Sequence, residues 1–249
     1  MLPPAKIIEH EGIHVVRDDL ISGGTKRRIA EKLLSESPAS EFAYPSTAYG
    51  AAMIALAHAA KSVNKKLHIF LAERKKTTPF IDELLAVGGD INIHYVKGGF
   101  YSIVKSETSK FCKTNNIELI PCGFDFPRAI QLLSDEASKI KEAHGFFDIA
   151  VSVCSSGTLQ RAMQLANLAK RYYAVGTGMK NPNHGFSTLI KHYEIQKFEQ
   201  DSKILPPFPT VRNYDGKGWQ YALELKAKYP DEKILFWNVS ATEDDRLRV

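Results

Sequence analysis

No apolar run in the chain is long enough to cross a membrane as a helix. The opening Met1–Lys6 has no apolar core of the kind a signal peptide needs. Cysteine is scarce, with three residues (Cys112, Cys122 and Cys154), an odd number without metal-ligand spacing. That excludes a disulfide framework or a zinc knuckle, and the thiols read as reduced, which sets the expectation of a cytoplasmic protein. His14, His68, His94 and His184 show no spacing that suggests a metal or a catalytic triad. The phosphate-loop pattern G-x-x-x-x-G-K-[ST] is missing, and so is the G-x-S-x-G elbow of a serine hydrolase. Neither sign of charge dominates: 33 Lys and Arg stand against 28 Asp and Glu. The resulting +5, with a pI near 8.9, is scattered along the chain. Solubility alone accounts for it, although it suits an anionic ligand or nucleic acid.

What is present is ordinary for a globular fold. With 249 residues, 44% of them hydrophobic, the chain can bury a proper core as one large domain or two lobes. Strand-like and helix-like stretches alternate: Phe42–Tyr44, helix Ala51–Ser62, Leu67–Leu71, helix Thr78–Val87, Ile91–Val96, then a helix from Gly98 to Cys112. The rhythm continues with Ile117–Ile120, helix Pro127–Lys141, the buried-looking strand Phe147–Val153, helix Leu159–Lys170 and strand Tyr172–Gly176. Such alternation predicts parallel sheets with helices on their faces, binding ligands where the strands end. Met179–Gly185 and Leu205–Pro209 read as loops, Trp219–Lys228 as a helix, Ile234–Asn238 as a terminal strand, and the tail after Ala241 as loose.

Four stretches carry chemistry. In Arg17-Asp18-Asp19-Leu20-Ile21-Ser22-Gly23-Gly24-Thr25-Lys26, two glycines let the backbone pass close to a bound group. Lys26 then stands at the start of a helix read from Arg27 to Leu34, where free N–H groups favour an anion. Beside other cations and an apolar wall, such a lysine becomes a nucleophilic amine; the bland alternative is a solvated basic helix start. Ser46-Thr47-Ala48-Tyr49-Gly50 offers hydroxyls between a strand and an Ala-rich helix. Ser155-Ser156-Gly157-Thr158 offers hydroxyls and successive N–H groups, either a phosphate cradle or an ordinary helix cap. Tyr214-Asp215-Gly216-Lys217 reads locally as a tight turn.

In order and approximate spacing these stretches resemble fold-type II pyridoxal-phosphate (PLP) enzymes, closest to the 1-aminocyclopropane-1-carboxylate deaminase and D-cysteine desulfhydrase branch. That branch runs K/R-D-D-L, then G-G-N-K, a serine-led substrate loop, G-S-G-G-T, and Y-E-G-K ahead of a terminal strand. This chain departs from it at Thr25 (for Asn), in a short gap before Gly23, in Ser155 and Ser156, in Asp215 (for Glu), and in lacking the Asn and His of the substrate loop. It is also shorter than typical relatives.

The resemblance implies an α/β fold-type II architecture, similar to the tryptophan synthase β subunit. Two open-sheet lobes would hold pyridoxal 5'-phosphate between them, the larger at 1–38 and 113–249 and the smaller at 39–112. Lys26 would carry the cofactor as a Schiff base. Ser155, Ser156, Gly157 and Thr158 would hold its phosphate, Asp215 its ring nitrogen, and Thr47 and Tyr49 would line the ring. Tyr214 and Ser46 would join Lys26 as catalytic groups. The implied activity is deaminase- or lyase-like, on a small amino-acid-type substrate, in a homodimer away from any membrane. Two alternatives stay open. One is an amine-bearing nucleic acid as substrate, an aminoacylated base as in bacteriophage-type DNA hypermodification, suggested by the altered substrate loop and cations such as Arg27, Arg28, Arg74, Lys75 and Lys76. The other is a PLP-fold binding protein without catalysis.

Overall fold

Strands that are apolar on both faces need cover on both faces, and the structure, a computed structural model, has two sheets so covered. It describes residues 2–177, 185, 189–193 (backbone only) and 200–248; the loop expected at Met179–His184 lies outside them. In chain order the elements are β1 (Ile7–His10), β2 (Ile13–Arg17), α1 (Thr25–Glu36), β3 (Glu41–Pro45), α2 (Ala52–Ser62), β4 (Lys66–Ala72), α3 (Pro79–Val87), β5 (Ile91–Val96) and α4 (Tyr101–Asn115). They continue with β6 (Glu118–Leu119), α5 (Pro127–His144), β7 (Phe147–Cys154), α6 (Thr158–Leu165), β8 (Ala169–Gly176), β9 (Leu189–Tyr193), α7 (Asp215–Lys228), β10 (Ile234–Asn238) and α8 (Glu243–Leu247).

The chain divides into two compact units. One comprises Met1–Leu20, Asp125–Ala241 and Asp245–Val249; the other comprises Ile21–Phe124 and Thr242–Asp244. The first holds a six-stranded sheet in the order β1-β2-β10-β7-β8-β9, parallel except for the β1–β2 hairpin. Strand periodicity splits its side chains cleanly. Ile234 and Phe236 of β10 join Ile13, Val15 and Val151 under Trp219, Ala222 and Leu225 of α7. Leu235 and Trp237 face the opposite way, onto Ile140 of α5 and Met163 of α6.

The second unit holds a four-stranded parallel sheet in the order β5-β4-β3-β6. One face packs on α4, where Ala43 and Phe70 meet Val104 and Cys112. Helix α2 buries almost all of its residues, from Ala52 to Ala60; a helix apolar all round has to be enclosed.

Several boundaries differ from expectation, and three bear on how the units are built. Helix α6 stops at Leu165 rather than Lys170, because Asn167 turns left-handed (φ 47°) and its N–H and that of Leu168 close back on Gln164 and Met163. Helix α7 opens at Asp215 rather than Trp219, so Tyr214–Lys217 is a helix start and not a free turn. The tail folds into α8, where Arg246 Nε donates to the carbonyls of Asp19 (2.9 Å) and its Nη2 to that of Ala241 (2.9 Å).

The Arg17-Asp18-Asp19 run makes buried structural contacts. Arg17 makes a two-pronged bond to Asp19 at 2.8 Å on each arm, with Asp19 fully buried and Arg17 nearly so. Asn238 Nδ2 donates to Asp19 (2.9 Å) and to the Pro209 carbonyl (2.8 Å), while Thr210 donates to Asn238 Oδ1. Trp237 Nε1 donates to Asp18 at 3.1 Å. A buried pair is tolerated when its remaining valences are met, and breaking it strands a charge. Asp19→Asn is therefore expected to cost about 3–5 kcal/mol in urea unfolding, with much of the loss recovered in Arg17→Met/Asp19→Leu. A single substitution costing under about 1 kcal/mol, as an exposed pair would, contradicts this role.

Candidate active site

Parallel sheets present ligands at the carboxyl ends of their strands. In the six-stranded unit, β7 ends at Cys154 and the chain turns through Ser155, Ser156 and Gly157 into α6. Gly157 sits at φ 79°, a left-handed turn that aims the first N–H groups of α6 outward from the strand end. Ser156 Oγ and Thr158 Oγ1 share one hydrogen bond at 2.8 Å, which leaves a hydroxyl proton and oxygen lone pairs for a further partner. Ser155 is differently employed. Its Oγ donates to the Thr177 carbonyl at 2.9 Å, and its N–H donates to Tyr214 Oη at 3.1 Å.

Tyr214 in turn donates to the Val153 carbonyl at 3.2 Å, so one phenol clips the turn to the start of α7. Burial, then Cys154 and Asp215, push its hydroxyl pKa far up, and it stays neutral. Asp215, the next residue, is completely buried at the first turn of α7. Lys217 is buried as completely, a feature the turn-like sequence did not disclose. Gly218 explains the depth: a Cβ there would lie 2.5 Å from Val153 and 3.0 Å from Phe236. The helix start therefore lies directly against β7 and β10. Asp215 is near enough to Cys154 to help hold its thiol up at about 12, second to burial. A helix-start cradle of hydroxyls and N–H groups suits a phosphate, and a sequestered carboxylate suits a protonated ring nitrogen. By its donor set this unit fits pyridoxal phosphate.

In the four-stranded unit, Lys26 is the second residue of α1, half-buried. Gly23 has φ 82°, and a Cβ on it would lie 2.7 Å from Ala55 Cα. Its lack of a side chain thus serves the packing of the α1 entry on α2. Ser22 Oγ donates to Glu83 at 2.6 Å and lies 2.9 Å from His58 Nε2; Glu83 also accepts from the Glu243 N–H at 3.0 Å. The Ser22 proton goes to a carboxylate, so His58 must present Nε2–H, and the group is a strut rather than a nucleophile with its base.

Ser46 is buried, with its N–H on the Phe70 carbonyl and its Oγ on the Thr47 carbonyl. Gly50 closes the same turn, since a Cβ there would stand 2.8 Å from Ser46 Oγ. Tyr49 packs edge-on to Phe80, and Arg74 lies 5.2 Å over its ring. Thus Lys26, Ser46, Thr47 and Tyr49 belong to one unit, and Ser155, Ser156, Gly157, Thr158, Tyr214 and Asp215 to the other.

Sequence reading missed a histidine pair. The β4–β5 register pairs His68 with Asn92 and Phe70 with His94, which leaves the two histidines diagonal to each other, His68 Nδ1 2.9 Å from His94 Nε2; His68 Nε2 lies 2.9 Å from Glu41. Alternate polar positions on adjacent strands were the available signal. Among the described residues, no cluster of three or more His, Cys, Asp or Glu is arranged to hold a metal, and no helix is long and apolar enough to cross a membrane.

No family model matches the sequence, and no curated protein matches it either. Solved structures do match. The processed form of threonine deaminase isoform 2 from Solanum lycopersicum superposes with a TM-score of 0.72 at 13% identity, over 95% of this chain and 79% of that one. An ACC deaminase homologue gives 0.73 at 15% identity, over 92% and 84%. The O-acetylserine-dependent cystathionine β-synthase of Helicobacter pylori gives 0.71 at 14%, over 96% and 93%. The chain has the fold-type II architecture. Scores this close do not single out one branch of that fold.

Two outcomes follow from the four-stranded unit. Gly23→Ala adds a left-handed penalty of about 1–2 kcal/mol to an overpacking cost of about 1–3 kcal/mol, so its unfolding midpoint should drop clearly; an unchanged midpoint would mean α1 does not need this contact. Burial, followed by Arg27 and Lys61, lowers His58 to about 4 from 6.5. Folding favours the neutral ring, so this contribution is full above the unfolded value and is lost as pH falls through the folded one. A histidine NMR titration placing His58 near 6.5 would refute that environment.

Proposed function

We propose that the protein is a PLP-dependent enzyme acting on an amino-acid-type amine, with deaminase- or lyase-like chemistry. The observation that carries the reading is the Tyr214 clip, which joins a helix-start anion cradle to a fully buried carboxylate at one sheet edge. A bound pyridoxal phosphate would supply an electron sink for a carbanion at the substrate α-carbon. Ser156, Gly157 and Thr158 hold the phosphate through hydroxyls and helix-start N–H groups, and Ser155 fixes the turn that presents them. Asp215 would face the ring nitrogen. Thr47 and Tyr49 complete the surroundings of the ring.

Lys26 would hold the cofactor through its amine, and that amine would move the proton at the substrate α-carbon. Ser46 and Tyr214 would orient the reacting group, Ser46 from a turn in which a Cβ at position 50 would crowd its hydroxyl. A carboxylate rather than a hydroxyl at the ring nitrogen favours the 1-aminocyclopropane-1-carboxylate deaminase and D-cysteine desulfhydrase branch.

Purified protein mixed with PLP is expected to show visible absorbance. Borohydride reduction and peptide mapping should place the adduct on Lys26. Lys26→Ala should slow α-proton exchange in D2O by about 10²–10⁴-fold, the usual worth of a positioned base. An adduct on Lys217, or unaltered exchange in Asp215→Ser, would overturn these assignments; no absorbance at all would leave a binding protein of this fold.

A further inference from the structure

At the carboxyl edge of the four-stranded sheet, two neighbouring loops carry a charge of one sign. The β4–β5 register pairs Ala72 with Val96, and the Glu73 N–H donates to the Val96 carbonyl at 2.9 Å, so the loops leave the sheet side by side. One loop presents Arg74, Lys75 and Lys76, all exposed; the other presents Lys97, also exposed. Glu73 is the one carboxylate on these two loops. Among these cations stand two bare aromatic rings, Phe100 at 72% exposure and Tyr95 at 53%.

Beside them lies an open cleft of about 410 Å³, lined by Phe70, His94, Tyr95, Lys97, Ile103 and Glu107. Phe70 and His94 are stacked there, 4.4 Å apart and 9° from parallel. Strand β5 is the edge of its sheet, so its outer backbone groups are unpaired within it. Gly98 and Gly99 both take positive φ, and a Cβ at Gly99 would meet nothing within 4 Å, so the loop is open to its surroundings at that point.

Exposed aromatics are costly to leave in water, and exposed like charges repel. Their interleaving on one edge is the pattern that binds a polymer with an anionic backbone and flat, stackable faces. We infer that this edge binds single-stranded nucleic acid: Arg74, Lys75, Lys76 and Lys97 engage phosphates, and Phe100, Tyr95 and the cleft take bases. A duplex would satisfy the cations and leave the rings unused. The inference rests on this unit alone and does not depend on the cofactor.

The test is fluorescence anisotropy of the full chain with labelled dT20 and U20, a 20-base-pair duplex, and anionic phosphatidylserine vesicles as competitors, over a salt series. Four phosphate contacts on a single strand predict a slope of log K against log salt of about −3. Lys75→Ala/Lys76→Ala should bring it to about −1.5, and Phe100→Ala should weaken binding roughly tenfold with the slope unchanged. Preference between dT20 and U20 tells DNA from RNA, and either supports the inference. Absence of binding at low salt, tighter binding of the duplex, capture by vesicles with dT20 unbound, or indifference to all three substitutions would overturn it. Circular dichroism and PLP absorbance of the variants, expected unchanged, separate this failure from failure of the cofactor reading.

Discussion

A guanidinium and a carboxylate withdrawn from water together govern the end of the six-stranded sheet. Arg17 and Asp19 close the β2 strand, and Asn238 closes the adjacent β10 strand by bonding the same carboxylate. Burial of two charges is costly, and their attraction offsets the cost only when the other lone pairs and protons are used. Here they are: Asn238 takes one Asp19 oxygen, Thr210 and Pro209 complete Asn238, and Phe208 lies 5.0 Å under the guanidinium. The chain returning from β10 and the segment before α7 are thereby fixed to one another. Tyr214 and Asp215 follow directly on that segment. The geometry of the candidate cradle thus depends on a pair that touches no ligand.

Close backbone approach plays the matching part in the four-stranded unit. Gly23 meets Ala55 at a distance no side chain would permit, and the Ser22–His58–Glu83 strut ties α1, α2 and α3 beside it. A helix as rich in alanine as α2 allows this approach, because methyl groups leave neighbouring backbones within reach. Lys26 is presented from a turn held on two sides, and a held side chain loses less entropy when it reacts.

Elements were legible in the sequence where a period settled them. The β7 run from Phe147 announced its burial and the α2 alanines a helix, and the strand-to-helix order was enough to predict parallel sheets. At the start of α7 local chemistry and tertiary packing disagree. Tyr-Asp-Gly-Lys is a good turn taken alone, yet Gly216 and Gly218 lie against side chains of the folded unit, and the packing draws the segment into α7. The candidate segments were legible, but the partners of their side chains were not. Tyr214 finds Ser155 across 59 residues, and Ser22 finds Glu83 across 61. His68 and His94 meet only through strand register. Contacts of that separation leave no periodic trace.

The shorter carboxylate at position 215 shows how such a departure is accommodated. An Asp reaches one methylene less far than a Glu, so the backbone must come nearer to whatever it serves. Gly218 has no side chain to hold α7 away from β7, and the Cβ it lacks would collide with Val153 and Phe236. Gly216 does the same toward Leu205, where an added Cβ would stand at 3.2 Å. Both glycines lie in the first turn of the helix, where their entropic cost is smaller than in its middle. The helix start therefore packs closely on these side chains. Asp215 is itself fully buried, so a Glu at this position would overpack its surroundings.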